Sequence, residues 1–157
     1  MSVSELSVPT VAVAAEVLCA DGRSFSGRVF IPSLSSRHSG VMRAEEWLNE
    51  PARFFPFLPN DEGKSVLLNK REVLVLTVAR SVESGSDESP RSPHQRVSLE
   101  CEDRRLTGEV VIDMPENRLR MLDYLNQADP FLTLREGDKL HLVQKERITR
   151  VIEIKEE

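Results

Sequence analysis

With 157 residues and 39% apolar content, the chain is long enough to bury a real core and has the make-up of a globular protein. Its net charge is −5, and its cations are spread evenly: nine Lys/Arg against eight Asp/Glu in residues 11–80, eleven against fourteen in residues 95–157. That balance lacks the basic excess that phosphate-backbone binding requires, and two cysteines, Cys19 and Cys101, are too few for a disulfide scaffold and suit a reducing, cytoplasmic setting.

Residues 1–9 read as a loose tail. The apolar run from Val8 to Leu18 is broken by Thr10 and Glu16 and follows no basic segment, so it reads as the lead into a strand, not a signal peptide or a membrane span. Val11 to Cys19 is rich in Val and Ala and predicts a strand, closed by the turn pair Asp21-Gly22. Phe25, Gly27, Val29 and Ile31 then alternate with Ser26, Arg28 and Phe30, predicting a second strand that pairs back on the first. Gly27 marks a bend within it, and Pro32 ends it. A polar loop over 33–41 leads to a short helix, where Ala44, Trp47 and Leu48 share one face. Asn49 stands at its C-terminal cap, a position where Asn tolerates the left-handed conformation, and Pro51 stops further helix. Phe54 and Phe57 predict a short strand, and Ser65–Asn69 and Val73–Val78 predict two more, separated by a tight break at Lys70-Arg71.

The segment Arg43-Ala-Glu-Glu-Trp-Leu-Asn49 returns as Arg120-Met-Leu-Asp-Tyr-Leu-Asn126, with Phe54 and Phe131 following at equal distance. Upstream, Leu18–Ile31 aligns without gaps on Leu99–Ile112. Downstream, Leu67-Leu-Asn-Lys70 aligns on Leu142-Val-Gln-Lys145, and Val73 on Ile148. Three matches in one order predict an internal duplication: a first β-rich lobe over 11–80, a flexible Ser/Pro-rich linker over 81–94, and a second lobe over 95–154. The second lobe repeats the first element by element, with Met121, Tyr124 and Leu125 on the helix face, a strand through Phe131 and Leu134, and strands over Lys139–Gln144 and Ile148–Ile154. The expected fold is mainly β with one short helix per repeat, arranged as two small barrel-like lobes about a pseudo-twofold axis. The gap-free alignment places Cys19 and Cys101 one register apart, hence on opposite strand faces and not in a disulfide. Trp47 and Tyr124 are expected to plug equivalent hollows in the two cores.

The order Val17-x-x-x-Asp-Gly-Arg-x-x-x-Gly-x-Val29, followed by Leu67-Leu-Asn-Lys-x-x-Val-x-x-Leu76, resembles the Sm-like and SH3-like barrels. That resemblance implies a small barrel, and no binding residue carries over, because Pro32 and Asp113 stand where the Sm pattern continues into its nucleotide-holding residues. The whole repeat, with R-x-x-x-[WY]-L-N between two hairpins, resembles a family of small uncharacterised bacterial domains present here in tandem, a likeness that implies no chemistry. Ser24-Phe-Ser-Gly27 resembles the S-x-x-G part of the PilZ cyclic-dinucleotide barrels.

Catalysis is not expected. His38, His94 and His141 fall in a loop, the linker and a strand, none recurs between the repeats, and no Cys/His spacing suits zinc. No cofactor or metal is expected. The recurrent polar residues are Arg23/Arg104, Arg43/Arg120, Asn49/Asn126 and Lys70/Lys145, and their first reading is structural. The expected function is a non-catalytic interaction or adaptor module whose strand edges meet a protein partner or a second copy. Phe30 and Phe55 neighbour inward-assigned residues and are expected to face out, and Leu34 in the loop completes the candidate contact surface. The alternative is an Sm-like or PilZ-like module for RNA or a small anion, with Arg104, Arg105, Arg118 and Arg120 as its candidate ligand-binding residues.

Overall fold

The computed structural model describes residues 9–34, 42–80, 94–112 and 120–155. The tail, most of the loop over 33–41, the linker over 81–93, His38 and Arg118 lie outside the described residues, as does the side chain of Arg120. Ten strands form one antiparallel sheet: β1 (Thr10–Cys19), β2 (Ser24–Pro32), β3 (Phe54–Pro59), β4 (Val66–Asn69), β5 (Val73–Ala79), β6 (His94–Cys101), β7 (Arg104–Val111), β8 (Phe131–Glu136), β9 (Lys139–Gln144) and β10 (Ile148–Ile154). Two short helices, α1 (Ala44–Leu48) and α2 (Arg120–Leu125), follow β2 and β7. The strands lie in the order β4-β3-β2-β1-β5-β9-β8-β7-β6-β10, so β4 and β10 are the edges. Among the described residues no helix is long and apolar enough to cross a membrane.

Burial follows the period-two pattern that shaped the expectation. In β2, Gly27, Val29 and Ile31 are buried while Ser26 and Arg28 face water. The strand pairs with β1 along its whole length, and its ladder to β3 is shorter, with three residue pairs from Gly27↔Pro59 to Val29↔Phe57. At that point a β-carbon on Gly27 would run into the backbone carbonyl of Leu58, and one on Gly108 in β7 would run into that of Arg135. Both glycines are there for close approach of two backbones.

The buried side chains fall into two clusters. The first holds Val17, Val29, Leu48, Phe57 and Leu76, and the second holds Leu74, Val97, Leu99, Val110 and Leu134. The division does not follow the chain. Phe131, Leu140 and Leu142 of β8 and β9 belong to the first cluster, and Leu74 and Val75 of β5 belong to the second. The ladder between β5 and β9 is the seam of this exchange, running from Val75↔Val143 through Leu76↔Leu142 to Ala79↔Lys139. Because both strands at the seam are covered on both faces, Val73–Val78 reads as a nearly unbroken apolar run.

Two expectations need correction. A pseudo-twofold would pair like strands, β5 with β10 or β4 with β9; the seam instead joins β5 to β9, the partner of β4 in the sequence alignment. The cysteines do not point to opposite faces either. Ala15 pairs with Gly27 and Val97 with Gly108, so each cysteine lies four residues beyond its glycine's partner, and both thiols are buried. The slip comes from the turns: Ala20-Asp21-Gly22, with Gly22 at φ 94°, is one residue longer than Glu102-Asp103, where Glu102 takes the left-handed conformation at φ 56°. Burial raises the pKa of Cys19, and it raises that of Cys101 to about 11, so neither thiol is disposed to ionise.

Candidate functional site

The recurrent polar residues can be followed one by one. Asp21 accepts hydrogen bonds from the backbone N–H of Arg23 (3.0 Å) and from its Nε (2.9 Å), the backbone bond being the main cause of its lowered pKa; the Asp-Gly-Arg motif is thus a self-tied turn. Lys70 donates to the carbonyl of Glu50 (2.8 Å) and Lys145 to that of Gln127 (3.2 Å), each just past the end of a helix. Burial pulls both lysine pKa values down, while the nearby Glu50 and Asp129 oppose the shift. The two lysines therefore lock helix ends to the strands that follow.

Asn49 does something its position in the sequence does not announce. Its backbone is not left-handed (φ −85°, ψ 0°). Its side chain donates to the carbonyl of Glu45 (2.9 Å), accepts from the N–H of Phe131 (2.8 Å) and donates to the carbonyl of the same residue (3.4 Å), bonding α1 to β8 across the seam. Gln144, 4% exposed, reaches back with Nε2 to the carbonyls of Lys70 (3.0 Å), Arg71 (3.1 Å) and Val73 (2.6 Å). A third tie is His141, whose Nδ1 lies 2.8 Å from the Thr77 hydroxyl of β5 and whose Nε2 lies 2.8 Å from Glu136. These three seam residues were missed as a group because each faces a partner more than sixty residues away, and only a cross-strand register reveals that.

A groove of about 790 Å³ opens over this seam, lined among others by Arg53, Lys70, Gln127, Gln144 and Lys145. Its lysines, Asn49 and Gln144 are engaged in the contacts above, and the hydroxyl–imidazole–carboxylate chain of Thr77, His141 and Glu136 lines a ladder instead of the groove. Among the described residues no group of three His, Cys, Asp or Glu side chains is placed to hold a metal ion.

The candidate cations fare differently from one another. Arg105 donates to Glu100 (2.7 Å), and Arg150 of β10 grips the same carboxylate with Nε (3.0 Å) and Nη2 (2.7 Å), so Glu100 ties β7, β6 and β10 together. Arg104 is exposed at the start of β7, beside the turn of Asp21 and Gly22. Hydrogen bonds from Arg150 first and Arg105 second hold the Glu100 carboxyl at about 2, against an ordinary 4.5. A depressed carboxylate contributes stability that is complete above its unfolded value and lost as pH falls through the folded one. The edge strand should therefore loosen between pH 4.5 and about 2, and Glu100→Gln should flatten that part of the acid-unfolding curve. An unchanged acid limb in Glu100→Gln would mean the carboxylate is not what holds β10.

The candidate contact residues also separate. Leu34 is 67% exposed, as expected, and Phe30 is half-buried. Phe55 is the correction: it is 3% exposed, and Trp47 of α1 meets it edge-on at 5.3 Å between ring centroids. The alternation in β3 is one residue out of step with the expectation, so Phe54, 53% exposed, is the ring facing water. Tyr124 packs against the second cluster, and burial raises the pKa of its phenol. Among the described residues the large apolar side chains left in water are Val11, Leu34, Phe54, Leu67 and Leu122, with Leu67 the most exposed of them at 70%. Phe54 and Leu67 lie on β3 and the edge strand β4, two residues of neighbouring strands. No family model, curated protein or solved structure matches this chain.

Proposed function

We propose that the chain is a non-catalytic interaction module built from two copies of one small five-stranded barrel-like unit, residues 11–80 and 95–154, and that it acts through its open strand edges. Support for the duplication comes from register. Phe54↔Asn69 and Phe57↔Val66 in the β3·β4 ladder match Phe131↔Gln144 and Leu134↔His141 in the β8·β9 ladder, which are the pairs the sequence alignment equates. The ladders β1·β5 and β6·β10 both slip near their ends, at Leu18/Cys19 and at Ile148/Arg150. On this reading the resemblance to a small tandem β domain extends to both halves.

The observation that carries the interaction reading is a contrast between equivalent residues. Leu142 of β9 is fully buried in the seam, and Leu67, its counterpart on β4, is 70% exposed. An apolar side chain and an unpaired row of backbone groups side by side form a surface that favours strand addition. The engagement of Arg105, Lys70 and Lys145 within the fold argues for a protein partner over RNA or a small anion. The test is a pull-down from native extract with the full chain and with Leu67→Lys. A protein retained at stoichiometric level by the parent and lost by the variant is the expected result. Equal retention by both, or retention by neither together with a strictly monomeric chain, would remove the edge from the function.

A further inference from the structure

We infer that the β4 edge takes the β10 edge of a second copy of this chain, in the antiparallel register that β5 and β9 already use within one molecule. The inference rests on the duplication proposed above and names the occupant of its open edge. In the seam, one unit offers its last strand, β5, and the other offers its fourth, β9. What remains at the two ends of the sheet is a last strand, β10, and a fourth strand, β4. The ends are therefore of unlike kind and are the two halves of a contact that the molecule makes once internally. Transferring the register Val75↔Val143, Leu76↔Leu142, Thr77↔His141 through the alignment sets Arg150 opposite Leu68, Val151 opposite Leu67 and Ile152 opposite Val66 of the neighbour.

The surroundings of the strands carry the same correspondence. Asn49 caps the N–H of Phe131 across the seam; its counterpart Asn126 is exposed, and so is Phe54, the counterpart of Phe131. Burial first and Arg80 second lower the pKa of Arg135 in β8, and Glu45 of α1 opposes the shift. The counterparts of these two charged residues are Leu122, 54% exposed, and Leu58, so two charged positions inside the molecule correspond to two apolar ones at its open ends. Both partners change character together.

The external contact is the weaker of the two. Leu74 and Val75 of β5 have Thr149 and Arg150 as counterparts, and Arg150 is held by Glu100. Arginine can lay its aliphatic stem along Leu68 while its head stays on Glu100 in water, so the strand remains able to pair. The association is therefore reversible and head-to-tail, a type of contact that closes into a ring or runs on as a filament.

The experiment mixes two full-length variants, Leu67→Cys and Val151→Cys, under mild oxidation. Directly opposed residues of an antiparallel pair bring their β-carbons within about 4.5–5.5 Å, so the mixture should give a disulfide-linked dimer that neither variant gives alone. The native thiols, Cys19 and Cys101, are buried and should stay out of the reaction. Val66→Cys mixed with Val151→Cys is the register control: its side chain faces the other side of the sheet and the cross-link should be lost. Cross-linking of Leu67→Cys with itself would mean that like edges meet, and would overturn the inference. So would a parent chain that sediments as a monomer across concentration with no cross-link in the mixture. A monomer that still retains another protein through Leu67 would overturn the second copy as occupant while leaving the interaction module standing.

Discussion

Gly108→Ala and Gly27→Ala are each expected to destabilise the protein by about 1–3 kcal/mol or more, because the added methyl meets backbone. At Gly27 the nearest atoms are the carbonyl of Leu58 and, at 2.9 Å, the ring of Phe57; at Gly108 they are the carbonyl of Arg135 and, at 2.9 Å, the side chain of Leu134. A flexible side chain can swing away from a new methyl group, but a carbonyl in a strand moves only with its ladder, here the short contact of β2 with β3 or the single pair Glu109↔Arg135 of β7 with β8. Gly63 supplies the control. Nothing lies within 4 Å of a β-carbon built there, so Gly63→Ala should be neutral or stabilise by about 0.4–1 kcal/mol through the unfolded chain. Denaturant midpoints of the three variants check this, and a Gly27→Ala midpoint equal to that of Gly63→Ala would mean that the two strands do not cross so closely.

Much of this arrangement was legible in the sequence. Alternation in residues 25–31 gave β2 and its inward face, and the recurrence of R-x-x-x-[WY]-L-N placed one helix between β2 and β3 and the other between β7 and β8. Lys70-Arg71 marked a tight break, which is a single 3₁₀ turn, and Lys145–Arg147 forms another between β9 and β10. The difference between β5 and β10 was also written there. Val-Leu-Val-Leu-Thr-Val is the pattern of a strand covered on both faces, whereas Ile-Thr-Arg-Val-Ile-Glu-Ile mixes polar and charged residues among the apolar ones, as an edge strand does.

What could not be read depends on contacts distant in sequence. Phe54-Phe55 offers two rings in succession, and alternation alone cannot say which faces in; Trp47, brought over by α1, takes Phe55. A turn one residue shorter displaced the cysteines by one register, a slip that a gap-free alignment hides. Asn49 was legible as the helix C-cap, which it is, because a cap is local; its bond to Phe131, eighty-two residues away, was not. The pairing of β5 with β9 is likewise set by which strand edges meet, and a repeat in sequence is equally compatible with a twofold.

The most direct test of a buried seam beside an open edge is to truncate the same residue in both places. Leu142 and Leu67 align in sequence, lie on β9 and β4, and differ in burial, 0% against 70% exposed. Leu142→Ala should cost about 2–5 kcal/mol, as removal of a packed leucine does. Leu67→Ala should change stability by no more than about 0.5 kcal/mol at concentrations where copies stay apart. Urea unfolding of the two variants measures this difference. A large gap with Leu142→Ala the weaker protein is the predicted result, and equal losses in the two variants would contradict a sheet joined through β5 and β9 with β4 left open.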